Sequence, residues 1–134
     1  MGIRFEKGTL MQWQNEMAKY LRLLTDKYDA FDNDWDLTLL EEGYREFFHQ
    51  QRSWMLGLSN EALQKYVETE LEEEQIRPLA LLFLRDAVLL EEGEEQQNLL
   101  KKSKFLLEYV SIKLGSFSFE DYGNLSLIDS KLKK

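Results

Sequence analysis

The sequence predicts an all-α protein, and three observations support that prediction. From Leu79 to Leu90, ten of twelve residues are apolar, and Val88 is the only β-branched one. Outside this run, apolar residues recur at the three- and four-residue spacing of helices rather than at alternate positions. Serine or threonine stands before several of these segments, where helices are commonly capped. We therefore expect a bundle of five to six helices.

Length and composition indicate a single domain spanning residues 1–134. Hydrophobic residues make up 43% of the chain, enough for a buried core. Cysteine is absent from the sequence, which excludes disulfides and suits a reducing compartment. The net charge of −8 argues against nucleic acid as a partner. With no apolar run typical of a signal peptide, we expect a cytoplasmic protein that does not bind membranes.

The first helix is predicted from about residue 9 to residue 28. Thr9 and Gln12 have the spacing of a capping box. An apolar stripe follows at helical spacing and predicts the buried face: Leu10, Trp13, Met17, Leu21, Leu24 and Tyr28.

Residues 29–36 form the predicted turn after this helix, because Asp and Asn bond their own backbone and favour turns. Three carboxylates alternate there as they do in a calcium loop: Asp32, Asp34 and Asp36. Leu37 stands where that loop needs its glycine, and Gly43 stands where it needs a bidentate glutamate. We therefore interpret the segment as a capped turn.

The second helix is predicted from about 36 to 52, with a third from about 60 to 69 capped by Ser59. Residues 53–58 between them, which include Trp54, are interpreted as a packed connection. Glu46 and His49 form Glu-x-x-His, which is half of the ligand set of di-metal helical bundles. The chain has one histidine, so a complete set would require a symmetric dimer. These two residues are the only metal candidates, and we expect no cofactor.

The fourth helix, at about 77–92, is predicted to be the buried centre of the bundle. Pro78 suits its first turn and Gly93 suits its end. The acidic run at 68–75 before it is expected to be exposed, where it either attracts a basic partner or is simply solvated. A fifth helix at about 95–114 would complete an antiparallel hairpin over 77–114.

Only two charged residues, Arg85 and Asp86, interrupt the central apolar run. At 100° per residue they sit side by side, with Leu82 and Leu89 between them in projection. Three interpretations remain open: a narrow solvated stripe, a subunit interface, or a buried functional ion pair. These four residues are the interface candidates, and substitution of either leucine by glutamate is expected to leave a folded monomer.

In the last third of the chain, several residues indicate where helices begin and end. Gly115 suits the end of the fifth helix, and its lysines are expected to face solvent. Ser118 and Asp121 resemble a capping box before a short sixth helix ending near 131. The lysines at 131, 133 and 134 form a small basic end.

Two resemblances follow from these segments. The run from about 39 to 109 contains an aromatic pair, then GLSNEAL, then LALLFLRDAVLLEEGEE, and is similar to a family of small, uncharacterised bacterial all-helical proteins. That resemblance implies a helical fold and no assigned activity. The fourth and fifth helices loosely resemble a tetratricopeptide repeat, with Phe83 and Ala87 at its aromatic and small positions. Three positions depart from that pattern: Leu99, Ser103 and Ser111.

The function predicted from the sequence is non-enzymatic protein–protein interaction or scaffolding, with a homodimer as the expected assembly. No phosphate-binding loop, dinucleotide fingerprint or nucleophile elbow occurs in the sequence. The three tryptophans and eight phenylalanines also fit an alternative, a pocket that binds a small apolar ligand. A metal-dependent bundle using Glu46 and His49 is the second alternative.

Overall fold

The computed structural model describes residues 7–29, 37–115 and 118–132, and within these ranges the chain contains seven α-helices and no strand. The all-α prediction is confirmed. The chain divides into two compact units, Met1–Glu72 and Glu73–Lys134. The single-domain interpretation of residues 1–134 stays a prediction. The three aspartates of the calcium-loop pattern, Asp32, Asp34 and Asp36, lie outside the described ranges, as do the last two lysines.

Four helices belong to the first unit and three to the second. The first unit contains α1 (Lys7–Asp29), α2 (Leu37–Phe48), α3 (Arg52–Leu56) and α4 (Asn60–Glu70). The second unit contains α5 (Glu73–Leu89), α6 (Glu94–Ile112) and α7 (Phe119–Leu132). The described ranges hold one helix more than the upper prediction, because α3 occupies what was interpreted as a packed connection.

Aromatic side chains join α1 to α2 in the first unit. The indole N–H of Trp13 donates a 3.0 Å hydrogen bond to the carbonyl of Phe47, which satisfies a buried donor. The same indole contacts the rings of Phe47 and Phe48 edge to face, with centroids 6.0 and 5.5 Å apart. The predicted stripe is therefore correct at its centre, where Trp13, Met17 and Leu24 are buried.

Gly43 allows a close approach between the same two helices. Tyr20 lies directly over this buried glycine, and its hydroxyl donates a 2.8 Å hydrogen bond to the carbonyl of Leu39. A Cβ atom at position 43 would overlap the Tyr20 hydroxyl and ring. The glycine is thus required by packing and not by backbone conformation.

Gly43→Ala is expected to destabilise the first unit by about 1 kcal/mol, within a range of about 0–2 kcal/mol. Overpacking costs about 1–3 kcal/mol, and the better helix propensity of alanine returns up to about 1 kcal/mol. Gly123→Ala is the matched control, because position 123 is also helical but nothing lies within 4 Å of its Cβ position. That control should stabilise α7 by up to about 1 kcal/mol. Urea unfolding of both variants measures the change in the free energy of unfolding. Changes of the same sign for the two variants would contradict the packing argument.

Two predicted boundaries in the first unit are wrong. The helix α1 already includes Lys7, so Thr9 lies inside it and cannot be its N-cap. The helix α2 ends at Phe48 rather than near 52. By contrast, the prediction for α4 is confirmed. The Ser59 hydroxyl caps the helix by accepting a 3.1 Å hydrogen bond from the N–H of Ala62. The helix buries Leu63, Tyr66 and Val67.

The helix α5 begins earlier than predicted and ends earlier. It starts at Glu73, so Pro78 lies inside the helix rather than in its first turn. Proline there removes one backbone hydrogen bond, while Glu73 and Glu74 favour the start through the helix dipole. The acidic run is only partly exposed, because Leu71 and Gln75 are buried.

Polar contacts join α5 to α6 within the second unit. The amide of Gln96 donates to the carbonyls of Ala87 and Leu90, at 2.8 and 3.0 Å, and so satisfies acceptors at the end of α5. Further along, the hydroxyl of Ser103 donates to the carbonyl of Ala80 at 2.7 Å. Both donors are buried, so each contact fixes the pairing of the two helices.

The capping box predicted at the start of α7 is present. The N–H of Ser118 donates to a carboxylate oxygen of Asp121 at 3.1 Å, and the hydroxyl of Ser118 accepts from the N–H of Glu120 at 3.3 Å. Arg77 on α5 donates twice to the same carboxylate, at 3.1 and 3.3 Å. Asp121 therefore caps α7 and ties it to α5.

Two further predictions in the second unit concern Gly115 and Lys102. Gly115 has a φ of 64°, as expected for a glycine just after a helix. Lys102 was expected to face solvent but is buried, and this burial lowers the pKa of its amine.

Candidate functional site

An open groove lies between α3 and α4 in the first unit. It has a volume of about 360 Å³. Eight residues line it: Gln50, Trp54, Leu58, Ala62, Lys65, Tyr66, Thr69 and Glu70. Four of these residues are apolar or aromatic and four are polar, so the groove combines apolar surface with polar groups, as binding sites do.

Two aromatic rings form the apolar part of this groove. Trp54 and Tyr66 meet edge to face, with centroids 5.4 Å apart. Tyr66 is only 6% exposed, whereas Trp54 is 43% exposed. One ring is thus fixed in the protein, and the other offers half its surface to a ligand.

The turn between α3 and α4 positions these rings. The N–H of Gly57 donates to the carbonyls of Ser53 and Trp54, and the N–H of Leu58 donates to Met55. Ser59 then caps α4 immediately. Because the turn is this short, Trp54 on α3 lies next to Tyr66 on α4.

Tyr66 has a structural role in the groove. Its hydroxyl is 3.5 Å from the carbonyl of Phe48, which ends α2. Burial raises the pKa of the Tyr66 phenol well above its usual value, and the nearby carboxylate of Glu70 raises it further. The phenol therefore stays protonated at neutral pH and acts as a donor rather than as a base.

A second cavity, of about 480 Å³, is polar. It lies beside the start of α3 and is lined by Glu41, Arg45, Gln51, Arg52 and Ser53. Arg52 is buried, whereas Arg45 is exposed on a helix face that also carries three glutamates: Glu41, Glu42 and Glu46. Carboxylates next to the guanidinium groups make this cavity a poor site for an anion.

The metal candidates Glu46 and His49 are not held as a helical pair. The helix α2 ends at Phe48, and His49 follows with a φ of 57°, in the left-handed region. The N–H of His49 donates to the carbonyl of Arg45 at 3.0 Å, so His49 occupies the position after the helix end that usually holds glycine. Within the described ranges, no three His, Asp or Glu residues are grouped to hold a metal ion.

The four interface candidates on α5 differ in exposure. Leu82 and Asp86 are completely buried within the single chain, which rules out the solvated stripe for these two residues. Arg85 and Leu89 are half-buried. A helical projection shows which residues share a face, but it does not show that the rest of the chain covers Leu82 and Asp86 completely. Only Arg85 and Leu89 are left as accessible members of the predicted interface, which stays a prediction.

The sequence predicted a pocket for an apolar ligand only as an alternative and did not locate it, although one signal for the groove exists. Trp54, Met55 and Leu56 are three consecutive large apolar residues. On a single helical turn these side chains point in different directions, so they cannot all face one core. In the structure Met55 is buried, Leu56 is half-buried and Trp54 lines the groove.

The chain matches no protein-family model, and comparisons with curated proteins and with solved structures find no similar protein. The resemblances to the uncharacterised bacterial family and to tetratricopeptide repeats therefore stay predictions. Among the helices that the structure describes, none has the length and apolar character needed to cross a membrane.

Proposed function

We propose that this chain is a non-enzymatic protein-interaction protein that binds its partner through the groove between α3 and α4. The exposure of Trp54 over an apolar floor carries the proposal. Tryptophan and tyrosine are enriched among the residues that dominate binding energy at interfaces. Tyr66 needs no ordering on binding, because it is already fixed by packing, and this lowers the entropic cost of association.

The chemistry of the groove favours binding over catalysis. Its titratable lining residues are Lys65, Tyr66 and Glu70. The phenol is held protonated and therefore cannot serve as a base. A solvent-exposed lysine beside a carboxylate is ordinary surface chemistry, and the lining offers no nucleophile paired with an orienting base.

The other parts of the proposal concern assembly and helix pairing. We expect a homodimer in which Arg85 and Leu89 contribute to the interface. A native mass spectrum should then give twice the 16.0 kDa of the chain. We also propose the antiparallel hairpin over 77–114, which the Gln96 and Ser103 hydrogen bonds to α5 support.

A small apolar ligand is the alternative occupant of the groove. The volume of about 360 Å³ falls within the range of small-molecule sites, about 300–1,000 Å³. The open shape of the groove favours a protein partner, because small-molecule sites enclose most of their ligand. Extra mass on the purified chain, removed by organic extraction, would favour the small ligand.

Affinity capture with matched variants tests the proposal. The full chain should retain a protein that Trp54→Ala loses, and the purified pair should bind at least about tenfold more weakly with the variant. Phe119→Ala is the control, because Phe119 is the most exposed aromatic residue of the described ranges and lies outside the groove. A partner that both variants retain equally contradicts the proposal.

A further inference from the structure

We infer that the groove between α3 and α4 takes a peptide segment with one bulky apolar side chain flanked by lysine or arginine. This inference rests on the proposed function and adds the chemistry of the partner. It depends on three observations: an aromatic anchor site, its size, and the acidic surface around it.

The anchor site is formed by Trp54 and Tyr66 together with Leu58 and Ala62. A side chain placed there contacts an aromatic edge and two aliphatic groups at once. The groove is open to solvent rather than enclosed, so a peptide side chain can enter it without threading. A leucine or an aromatic residue matches this site, whereas a polar side chain would lose its water without gaining a partner.

Charge around the groove selects the residues that flank the anchor. Over residues 37–72 the chain has seven acidic and three basic side chains. Glu70 lines the groove, and its negative charge acts on the buried Tyr66 phenol, which places the carboxylate close to the anchor site. Basic flanks on a partner are attracted to this surface, and acidic flanks are repelled.

Among the described residues that line the groove, Lys65 is the only basic one. Acidic residues precede and follow it on α4. Glu61 precedes it by four positions and Glu68 follows it by three, which places both on the same helix face. The local charge on this side of α4 is therefore negative despite the lysine.

Another exposed aromatic surface gives no comparable argument. Phe119 and Tyr122 meet edge to face on α7, with centroids 6.1 Å apart, and both are exposed. Their sequence neighbours are Glu120 and Asp121, and nothing there indicates which chemistry would cover the two rings. The groove differs because its concavity and its charge together specify an occupant.

Fluorescence anisotropy of the full chain with short, capped and labelled synthetic peptides tests the inference. The first peptide has a central leucine with two lysines on each side. The second has serine at the centre, and the third has glutamates in place of the lysines. We expect saturable binding of the first peptide, at least about tenfold weaker binding of the other two, and loss of affinity as salt is raised.

Ala62→Lys and Gln64→Lys form the matched pair of variants. Both residues lie on α4 and both substitutions add one positive charge, but only Ala62 lines the groove. Ala62→Lys should weaken binding of the lysine-flanked peptide by about tenfold or more, whereas Gln64→Lys should weaken it by about threefold or less. Glu70→Gln should weaken binding by about threefold, and circular dichroism confirms that each variant is folded.

Several results would overturn the inference. Equal binding of the lysine-flanked and glutamate-flanked peptides would show that charge does not select the partner. Equal effects of the two α4 variants would show that the peptide does not bind in the groove. A homodimer in native mass spectra that Trp54→Ala dissociates makes a second copy the occupant. If the captured partner depends on Trp54 but binds through an acidic segment, the inference fails and the proposed function stands. If no captured partner depends on Trp54, both fail.

Discussion

Leu82→Glu is expected to unfold the second unit. Leu82 lies at the middle of α5 and is 0% exposed. The substitution loses about 2–3 kcal/mol of apolar burial. It also places a carboxylate in the interior, which costs several kcal/mol more. That sum is comparable to the whole stability of a typical domain, about 5–15 kcal/mol.

Circular dichroism with tryptophan fluorescence measures this result. All three tryptophans belong to residues 1–72, so their fluorescence reports on the first unit while circular dichroism at 222 nm reports on every helix. Leu82→Glu should lose the helical signal of α5 to α7. A folded Leu82→Glu protein would contradict the burial of this residue and restore the original prediction that it faces a second chain.

Leu89→Glu is the matched substitution for the interface. Leu89 is half-buried and is the last residue of α5, so a carboxylate there reaches water. This substitution should lower the free energy of unfolding by about 1 kcal/mol or less, because a carboxylate at the C-terminal end of a helix interacts unfavourably with the helix dipole. If native mass spectra show a dimer for the wild type and a folded monomer for this variant, the interface includes Leu89. An unchanged dimer removes Leu89 from it.

Local signals predicted individual helices well. The helix α4 was expected from 60 to 69 and spans Asn60–Glu70, because a serine cap and an apolar stripe both act within a few residues. The capping box of Ser118 and Asp121 was predicted for the same reason. Such signals need no knowledge of which other helices are nearby.

The errors arose where tertiary contacts override local preference. A helical projection places Arg85 beside Asp86, but it contains nothing about how many neighbours cover each residue, and Asp86 is completely buried. Proline was assigned to a first turn because proline is favoured there, yet α5 begins five residues before Pro78. The second helix was extended past Phe48 because composition does not reveal that His49 takes a left-handed conformation.

The groove is the part of the site that the sequence could not supply. Trp54 was interpreted as part of a packed connection, since buried tryptophans are common and a lone pattern does not separate them from exposed ones. Its exposure depends on the direction of α3, which the Gly57 turn sets after the helix. Burial of Met55 on the other side of that short helix then leaves the indole at the surface.

Asp121→Ala is expected to destabilise the second unit by about 3 kcal/mol. The carboxylate side chain is 2% exposed, and it accepts hydrogen bonds from Arg77 on α5 and from the N–H of Ser118. Loss of the cap costs about 1 kcal/mol and loss of the charged hydrogen bonds about 1.5–3 kcal/mol. Arg77 is 26% exposed, so its guanidinium recovers part of this energy by hydration.

A matched variant separates this contact from ordinary surface charge. Asp129 also joins α7 to another helix, through a 2.9 Å ion pair with Lys104, but both side chains are exposed to solvent. Asp129→Ala should therefore leave the urea midpoint nearly unchanged, because exposed pairs are well solvated when broken. Asp121→Asn should fall between the two, since an amide oxygen can still cap Ser118 while the charge is lost.

Circular dichroism during urea unfolding gives the free energies, and a double-mutant cycle with Arg77→Met isolates the pair. The coupling between Arg77 and Asp121 should be about 1 kcal/mol or more, because one partner is fully buried. A coupling near zero would assign the whole effect to the cap. Equal losses for Asp121→Ala and Asp129→Ala would mean that burial of this carboxylate contributes nothing, and the tie between α5 and α7 would have to rest on apolar contacts alone.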